Sequence, residues 1–257
     1  MTSTSPVFVL VPGAWHGGWA WQPVARRLRE AGCAAVTITL PGLADGDERG
    51  GLRLCDAVDH VVAEAGRRDL REVVLVGHSW GGYVITGAAH RLAGRLAKVV
   101  YYNAVVPARG TAMVDENPGY AAMIRAAIEA SPDGTISLAR EQVPMFMPEA
   151  GKQAQDLLFE LLLPQPGGYF LDPIDVDDVT TLGIPAGYIL SEDDRALARP
   201  GTEFAARIGL TPVMVPAEED LVPLPAAQPD QFLAPARREA IAAGVTSQDR
   251  DGPSAHA

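Results

Sequence analysis

A serine lies between two glycines at residues 77–81, in the sequence GHSWG. Four apolar residues precede the motif, and residues 81–92 have the pattern of a helix that begins at paired glycines. A serine in G-x-S-x-G between a strand and a helix is typical of a nucleophile elbow, a strained turn that holds the hydroxyl clear of the sheet. The motif therefore predicts that Ser79 is a catalytic nucleophile on an α/β fold.

The rest of the chain alternates short apolar runs, rich in β-branched residues, with segments of helical period. Strands are predicted at residues 7–11, 35–40, 73–76 and 99–102, and helices at residues 19–30, 55–65 and 81–92. Strands that are apolar on both faces suit a parallel sheet covered by helices. The fold class is therefore predicted to be α/β, with a mostly parallel, doubly wound sheet.

This alternation is interrupted between residues 107 and 182, which predicts a small helical cap inserted into the core. Cap helices are predicted at residues 120–130 and 149–163, among turns that contain Pro and Gly. The core is then divided into residues 1–106 and 183–243. Its second part is predicted to contain strands at residues 187–191 and 212–216 and helices at residues 201–208 and 229–243. The polar residues 244–257 predict a disordered tail.

The charge of the chain disfavours two classes of partner. The net charge is −11, with 32 acidic and 21 basic side chains and no Lys/Arg cluster, which disfavours nucleic acid and anionic membranes. No apolar run is long enough to span a bilayer, and the N-terminus runs directly into the first strand without a signal-peptide pattern. We therefore expect a cytoplasmic protein whose partner is a small hydrophobic substrate; a homodimer stays open.

A glycine-rich loop, PGAWHGGW at residues 12–19, follows the first predicted strand. The oxyanion hole of such a fold takes one N–H group from this loop and another from the residue after the nucleophile. We therefore predict the N–H groups of Ala14 and Trp80 as its donors, with an ordinary turn as the alternative for the loop. The Trp80 side chain is predicted to form one wall of the substrate pocket.

Three segments carry a resemblance to a known family: VPGAWHGGWAW at residues 11–21, GHSWGG at 77–82 and YNAVVP at 102–107. They resemble the α/β-hydrolase superfamily, and within it the branch of hydroxynitrile lyases, plant methylesterases and bacterial relatives. The resemblance extends over roughly residues 6–243 and is weakest in the predicted cap. It implies the α/β-hydrolase fold, a pocket between core and cap, and no metal or organic cofactor. Because the branch contains both esterases and lyases, the resemblance constrains the fold more than the reaction.

By this resemblance, Asp194 matches the catalytic acid, with Asp193 as the runner-up. Where the family has its catalytic histidine, this sequence has Asp220, or Glu219 if the register shifts by one residue. An ordinary carboxylate is a far weaker base than imidazole near pH 7. Two carboxylates close together in a half-buried site would raise the pKa of one of them.

The predicted pocket combines the oxyanion loop with an apolar part of the cap. From the loop it takes Trp15 and His16, and from the cap Met145, Phe146 and Met147. Such a lining suits a hydrophobic small molecule, although the cap residues could equally pack among themselves. His16 is also an alternative base, since its loop borders the predicted oxyanion hole.

Three functions are compatible with these residues. The first is hydrolysis of a small hydrophobic ester, lactone or thioester through Ser79, with Asp220 in an atypical triad. The second is a lyase, dehydratase or cyclase reaction in natural-product tailoring, in which carboxylates transfer protons. The third is ligand binding without catalysis, although the intact elbow argues against it.

Overall fold

The computed structural model describes residues 5–147, 150–192 and 194–216. The strands in this part of the chain are β1 (Val7–Val11), β2 (Ala34–Thr37), β3 (Val73–Ser79), β4 (Leu96–Ala104), β5 (Thr135–Ile136), β6 (Gln165–Pro166), β7 (Ala186–Ser191) and β8 (Val213–Val215). The main sheet has the order β2-β1-β3-β4-β7-β8, and every neighbouring pair in it is parallel. β5 and β6 form a separate antiparallel pair.

The helices lie between these strands. They are α1 (Gln22–Glu30), α2 (Leu54–Arg67), α3 (Gly81–Leu92), α4 (Pro118–Ala130), α5 (Val143–Phe146), α6 (Lys152–Leu161), α7 (Gly168–Leu171) and α8 (Gly201–Ala206). Short 3₁₀ turns cover Gly18–Trp21, Ala93–Arg95, Met113–Glu116, Arg140–Gln142 and Val179–Leu182. The prediction of an α/β fold with a mostly parallel, doubly wound sheet is confirmed. None of the helices described is both long and apolar enough to cross a membrane.

The strand order fixes where a site can form. From β1 the chain moves outward to β2 and returns to place β3 on the other side of β1. At such a reversal the loops after the two strands separate and leave a crevice at the carboxyl ends of the strands, where ligands bind in open α/β sheets. The two loops here are the glycine-rich loop after β1 and the GHSWG turn after β3.

The chain between β4 and β7, residues 105–185, contains α4 to α7 and the β5–β6 pair, and we call it the insertion. Two buried carboxylates attach it to the core. Asp172 accepts hydrogen bonds from the Arg53 guanidinium and, at 3.0 Å, from the Leu54 N–H at the start of α2. Glu116, which is 2% exposed, receives two hydrogen bonds of 2.8 Å from Arg207 after α8.

The helix predictions for residues 120–130 and 149–163 correspond to α4 and α6, which begin and end within a few residues of the predicted bounds. The division into core and cap stays a prediction. The helix predicted at residues 229–243 and the tail predicted at residues 244–257 lie outside the described residues.

Helix α3 packs against the sheet at a distance that leaves no room for side chains at its start. A Cβ atom on Gly82 would lie 1.9 Å from the Val105 carbonyl oxygen, and one on Gly81 would lie 2.6 Å from that of Pro12. Both obstacles are backbone atoms, which cannot rotate away. The paired glycines therefore hold α3, and with it the turn before it, close to the end of the sheet.

We expect Gly82→Ala to lower the free energy of unfolding by about 3 kcal/mol or more, because the methyl group overlaps backbone. The matched control is Gly94→Ala, where an added Cβ meets no atom within 4 Å; its effect should stay within about 0.5 kcal/mol. Urea denaturation of both variants measures the difference. Equal stabilities would show that α3 can move away from the sheet without cost.

Candidate active site

Ser79 ends β3 in a left-handed conformation, with φ of 51°. A residue with a side chain adopts this conformation at a cost of roughly 1–3 kcal/mol, so the surrounding structure must hold it. The Val105 N–H donates to the Ser79 carbonyl at 3.0 Å, and a Cβ on Gly77 would lie 2.8 Å from the Gly81 carbonyl oxygen. The turn therefore has the strain and the tight packing that a nucleophile elbow requires.

Gly13 brings the glycine-rich loop to the serine. A Cβ atom at this position would lie 2.8 Å from His78 Nδ1 and 3.0 Å from the Ser79 Cβ. The loop backbone can occupy this place only because residue 13 has no side chain. The next N–H group along the chain, that of Ala14, is thereby held near the nucleophile.

The N–H groups of Ala14 and Trp80 have no acceptor among the residues described, whereas N–H groups one to three residues further along the chain do. Trp15 N–H donates to Gln165 Oε1 at 2.8 Å, and Tyr83 N–H donates to the Trp80 carbonyl at 2.9 Å. Two unused donors beside Ser79 are what an oxyanion hole needs. Their role in catalysis stays a prediction.

The Trp80 side chain differs from its prediction. Its exposed fraction is 0%, its ring stacks on Tyr169 with centroids 5.0 Å apart, and its indole N–H donates to the Tyr169 carbonyl at 3.0 Å. A side chain with no accessible surface cannot line a pocket, so that prediction is wrong. The indole instead joins the nucleophile turn to α7 of the insertion.

The other predicted pocket residues divide into a surface group and a packed group. Met145 exposes 64% of its surface, whereas Met147 is 5% exposed and packs in a small apolar cluster of the insertion. The half-buried Phe146 lies edge-on to Trp15, with ring centroids 6.3 Å apart. Trp15 and Phe146 thus connect the loop after β1 with the insertion.

His16 is held by its own loop and forms no hydrogen bond with Ser79. Its Nδ1 lies 2.6 Å from the Ala14 carbonyl oxygen, and its buried Nε2 has no hydrogen-bond partner within residues 5–147, 150–192 and 194–216. Since a carbonyl can only accept, Nδ1 carries the proton. Burial lowers the pKa of His16 to about 4, and burial together with the nearby His16 lowers the pKa of His78 to about 3.

The two other histidines of the described chain lie away from the elbow. His60 is in α2, 3.9 Å from Glu64, and His90 is in α3 with its Nε2 2.8 Å from the Asp177 carbonyl oxygen. The predicted base, Asp220 or Glu219, lies outside the described residues, as do residues 193 and 256.

Asp194 follows β7 and is half-buried. Its Oδ1 accepts the Ala196 N–H at 2.9 Å, its Oδ2 is buried and has no hydrogen-bond partner among the described residues, and burial raises the pKa of the carboxyl group. The neighbouring Ser191 is fixed by Asn103 at the end of β4, through hydrogen bonds of 2.8 and 2.9 Å. The carboxylate therefore has one oxygen held by its own turn and one available for a partner.

Sequence reasoning missed two buried polar residues, Gln165 and Glu116. Gln165 is 0% exposed and touches the loop after β1, 150 residues away. Glu116 pairs with Arg207, 91 residues away. Neither partner is visible in the local sequence; the only local signal was the position of Gln165 between two prolines, which restricts its backbone.

Comparison with known proteins agrees with this geometry. Residues 8–243 match the model of the Alpha/beta hydrolase family. A "Carbendazim hydrolyzing esterase" of Nocardioides sp. is 40% identical over 109 residues, which cover 42% of this chain and 45% of that protein. "Esterase PIR7B" of Oryza sativa subsp. japonica is 30% identical over 204 residues, which cover 69% of this chain and 72% of the rice protein.

Among solved structures, an extracellular alpha/beta-hydrolase from a Paenibacillus species superposes with a TM-score of 0.79 at 22% identity, covering 90% of this chain and 98% of that chain. This likeness supports the fold. The match to the Nocardioides esterase spans less than half of that relative's length. The relatives in this group are named esterases and hydrolases.

The buried, neutral state of His16 predicts a pH-dependent stability. Between pH 6.5 and about 4 the unfolded chain binds a proton at this residue and the folded chain does not, so stability falls as the pH falls through this range. We expect the free energy of unfolding of the wild-type protein to fall by roughly 3 kcal/mol across this range because of His16. The variant His16→Asn should lack this part of the loss. Urea denaturation of both proteins across this range measures it, and parallel pH curves would contradict the prediction.

Proposed function

This chain belongs to the α/β hydrolase family, and from that premise we propose that it is an esterase-like hydrolase acting on a small hydrophobic ester, lactone or thioester. The observation that supports the proposal is the left-handed turn at Ser79, against which the loop after β1 packs so closely that a Cβ on Gly13 would lie 3.0 Å from the Ser79 Cβ. The esterase names of its relatives support the same class of reaction.

In the proposed reaction the Ser79 Oγ attacks the carbonyl carbon, and the carbonyl oxygen becomes negative. The N–H groups of Ala14 and Trp80 stabilise this oxygen, an interaction that strengthens as charge develops. Collapse of the tetrahedral intermediate expels the alcohol or thiol, which takes up the proton that Ser79 lost. Water then attacks the acyl group on Ser79, and the acid product leaves.

The proton from Ser79 needs a base, and we propose Asp220, acting with Asp194. Burial already raises the pKa of Asp194, and its Oδ2, which has no partner among the described residues, could share a proton with a second carboxylate. A raised pKa makes a carboxylate a better base near neutral pH. Such a base is still weaker than a histidine in this role, so we propose a slowly activated nucleophile.

A second candidate is proton transfer on the substrate itself, in an elimination, dehydration or cyclisation. The unpaired, buried Oδ2 of Asp194 favours it, because a carboxylate in that state can remove a proton from a bound molecule. The oxyanion hole would then stabilise an enolate, and Ser79 would serve only as a hydrogen-bonding group.

A fluorophosphonate probe distinguishes these proposals, because it reacts with an activated serine. We expect the wild-type protein to be labelled slowly at Ser79, Ser79→Ala not at all, and Asp220→His at least 10²-fold faster, about the lower end of what a general base contributes. The matched control is Asp230→His, the same exchange ten residues further along the chain, which should leave the rate unchanged. Labelling rates are followed by mass spectrometry.

Fast labelling of the wild-type protein would refute the assignment of Asp220 as a weak base. No labelling of any variant, with no hydrolysis of p-nitrophenyl esters, would refute the hydrolase proposal. Turnover that survives in Ser79→Ala would exclude the covalent mechanism and favour the second candidate.

A further inference from the structure

Gln165, in β6 of the insertion, reaches across to the loop after β1. Its side chain is completely buried, and its Oε1 accepts the N–H of Trp15 at 2.8 Å. The oxygen must face this group, since the amide nitrogen would set donor against donor. β6 is itself fixed by pairing with β5, where Ile136 lies opposite Gln165.

The peptide group between Ala14 and Trp15 is held on both sides. Its carbonyl oxygen, that of Ala14, accepts from His16 Nδ1 at 2.6 Å, and its N–H donates to Gln165. The Trp15 carbonyl also accepts from the Leu163 N–H at 3.1 Å. The insertion thus supplies the partners for both the N–H and the carbonyl of Trp15.

Trp15 needs these restraints because its φ is 66°, in the left-handed region. A non-glycine residue relaxes from this conformation unless its neighbours hold it. Relaxation would rotate the peptide groups on either side of it. The first of these groups is attached to the Ala14 Cα, so its rotation would shift Ala14 and with it the direction of the Ala14 N–H, which belongs to the preceding peptide group. An oxyanion donor contributes only when it lies within hydrogen-bonding distance of the developing charge.

We propose that Gln165 is a positioning residue for the oxyanion hole: by fixing Trp15 it holds the Ala14 N–H toward the carbonyl oxygen of a substrate at Ser79. This inference rests on the proposed hydrolase function. On this proposal the insertion takes part in catalysis, because the oxyanion donor has its orientation only while β6 is in place.

The Nε2 of Gln165 supports a positioning role over a purely stabilising one. It is buried and has no hydrogen-bond partner in the described part of the chain, which costs free energy. In Gln165→Met the two unpaired N–H groups of the amide disappear and that of Trp15 becomes unpaired instead. The two changes offset each other, so the variant should fold with nearly the wild-type unfolding midpoint and lose mainly the orientation of the loop.

The test compares Gln165→Met with Gln142→Met in hydrolysis of a p-nitrophenyl ester. Gln142 is a matched control, because its Oε1 also accepts a backbone N–H of the insertion, that of Ala139 at 2.9 Å, but at an exposed turn. We expect Gln165→Met to lower kcat by about 10- to 100-fold with KM within about two-fold, since a transition-state interaction is lost. Gln142→Met should keep wild-type kcat.

A second measurement is independent of turnover. Hydrogen exchange of the Trp15 amide should be slow in the wild-type protein and in Gln142→Met and faster in Gln165→Met. If Gln165→Met does not fold, Gln165→Asn, which is one methylene shorter, takes its place with the same expectations.

An unchanged kcat, a loss confined to KM, or an unchanged exchange rate would each overturn the proposal. A wild-type protein without ester turnover would refute the proposed function, and the exchange rate alone would then decide whether Gln165 fixes the loop.

Discussion

The left-handed turn at Ser79 is the constraint on which the rest of the site depends. It requires α3 to begin directly against the sheet. Only backbone atoms fit into this contact, because a side chain on Gly82 would overlap the Val105 carbonyl. The same approach brings the loop after β1 to the serine, since Gly13 lies where a Cβ would meet Ser79. The positions of Ser79 and of the loop after β1 therefore follow from one packing contact between α3 and the carboxyl end of the sheet.

The insertion is joined to this contact by polar bonds as well as by apolar packing. The Trp80 indole donates to Tyr169, and the Trp15 indole donates to the Ile136 carbonyl at 3.0 Å. Further away, Asp172 and Glu116 hold its two ends to the core through arginines. Hydrogen bonds specify direction where apolar contacts do not. The arrangement suits a segment that must be placed accurately over reacting atoms.

The features predictable from the sequence are those that depend on neighbouring residues. The strand at residues 7–11 and the helix at residues 81–92 have the predicted bounds, because apolar period and paired glycines act locally. The elbow and the loop after β1 were also visible as short motifs. The contacts of Gln165 and the burial of Trp80 were not, since each joins the insertion to a core residue more than 80 positions away. Trp80 was misjudged because a large aromatic beside a nucleophile suits a pocket wall and a buried link equally well.

Burial changes the comparison between imidazole and carboxylate as the base of this site. It lowers the pKa of His16 to about 4, so that this imidazole is a poor proton acceptor and serves the Ala14 carbonyl as a donor. It acts in the opposite direction on Asp194, whose pKa it raises. Desolvation therefore lowers the basicity of a histidine and raises that of an aspartate. The proposal of a carboxylate base draws on this effect, because a buried aspartate accepts a proton at a higher pH than its ordinary pKa suggests.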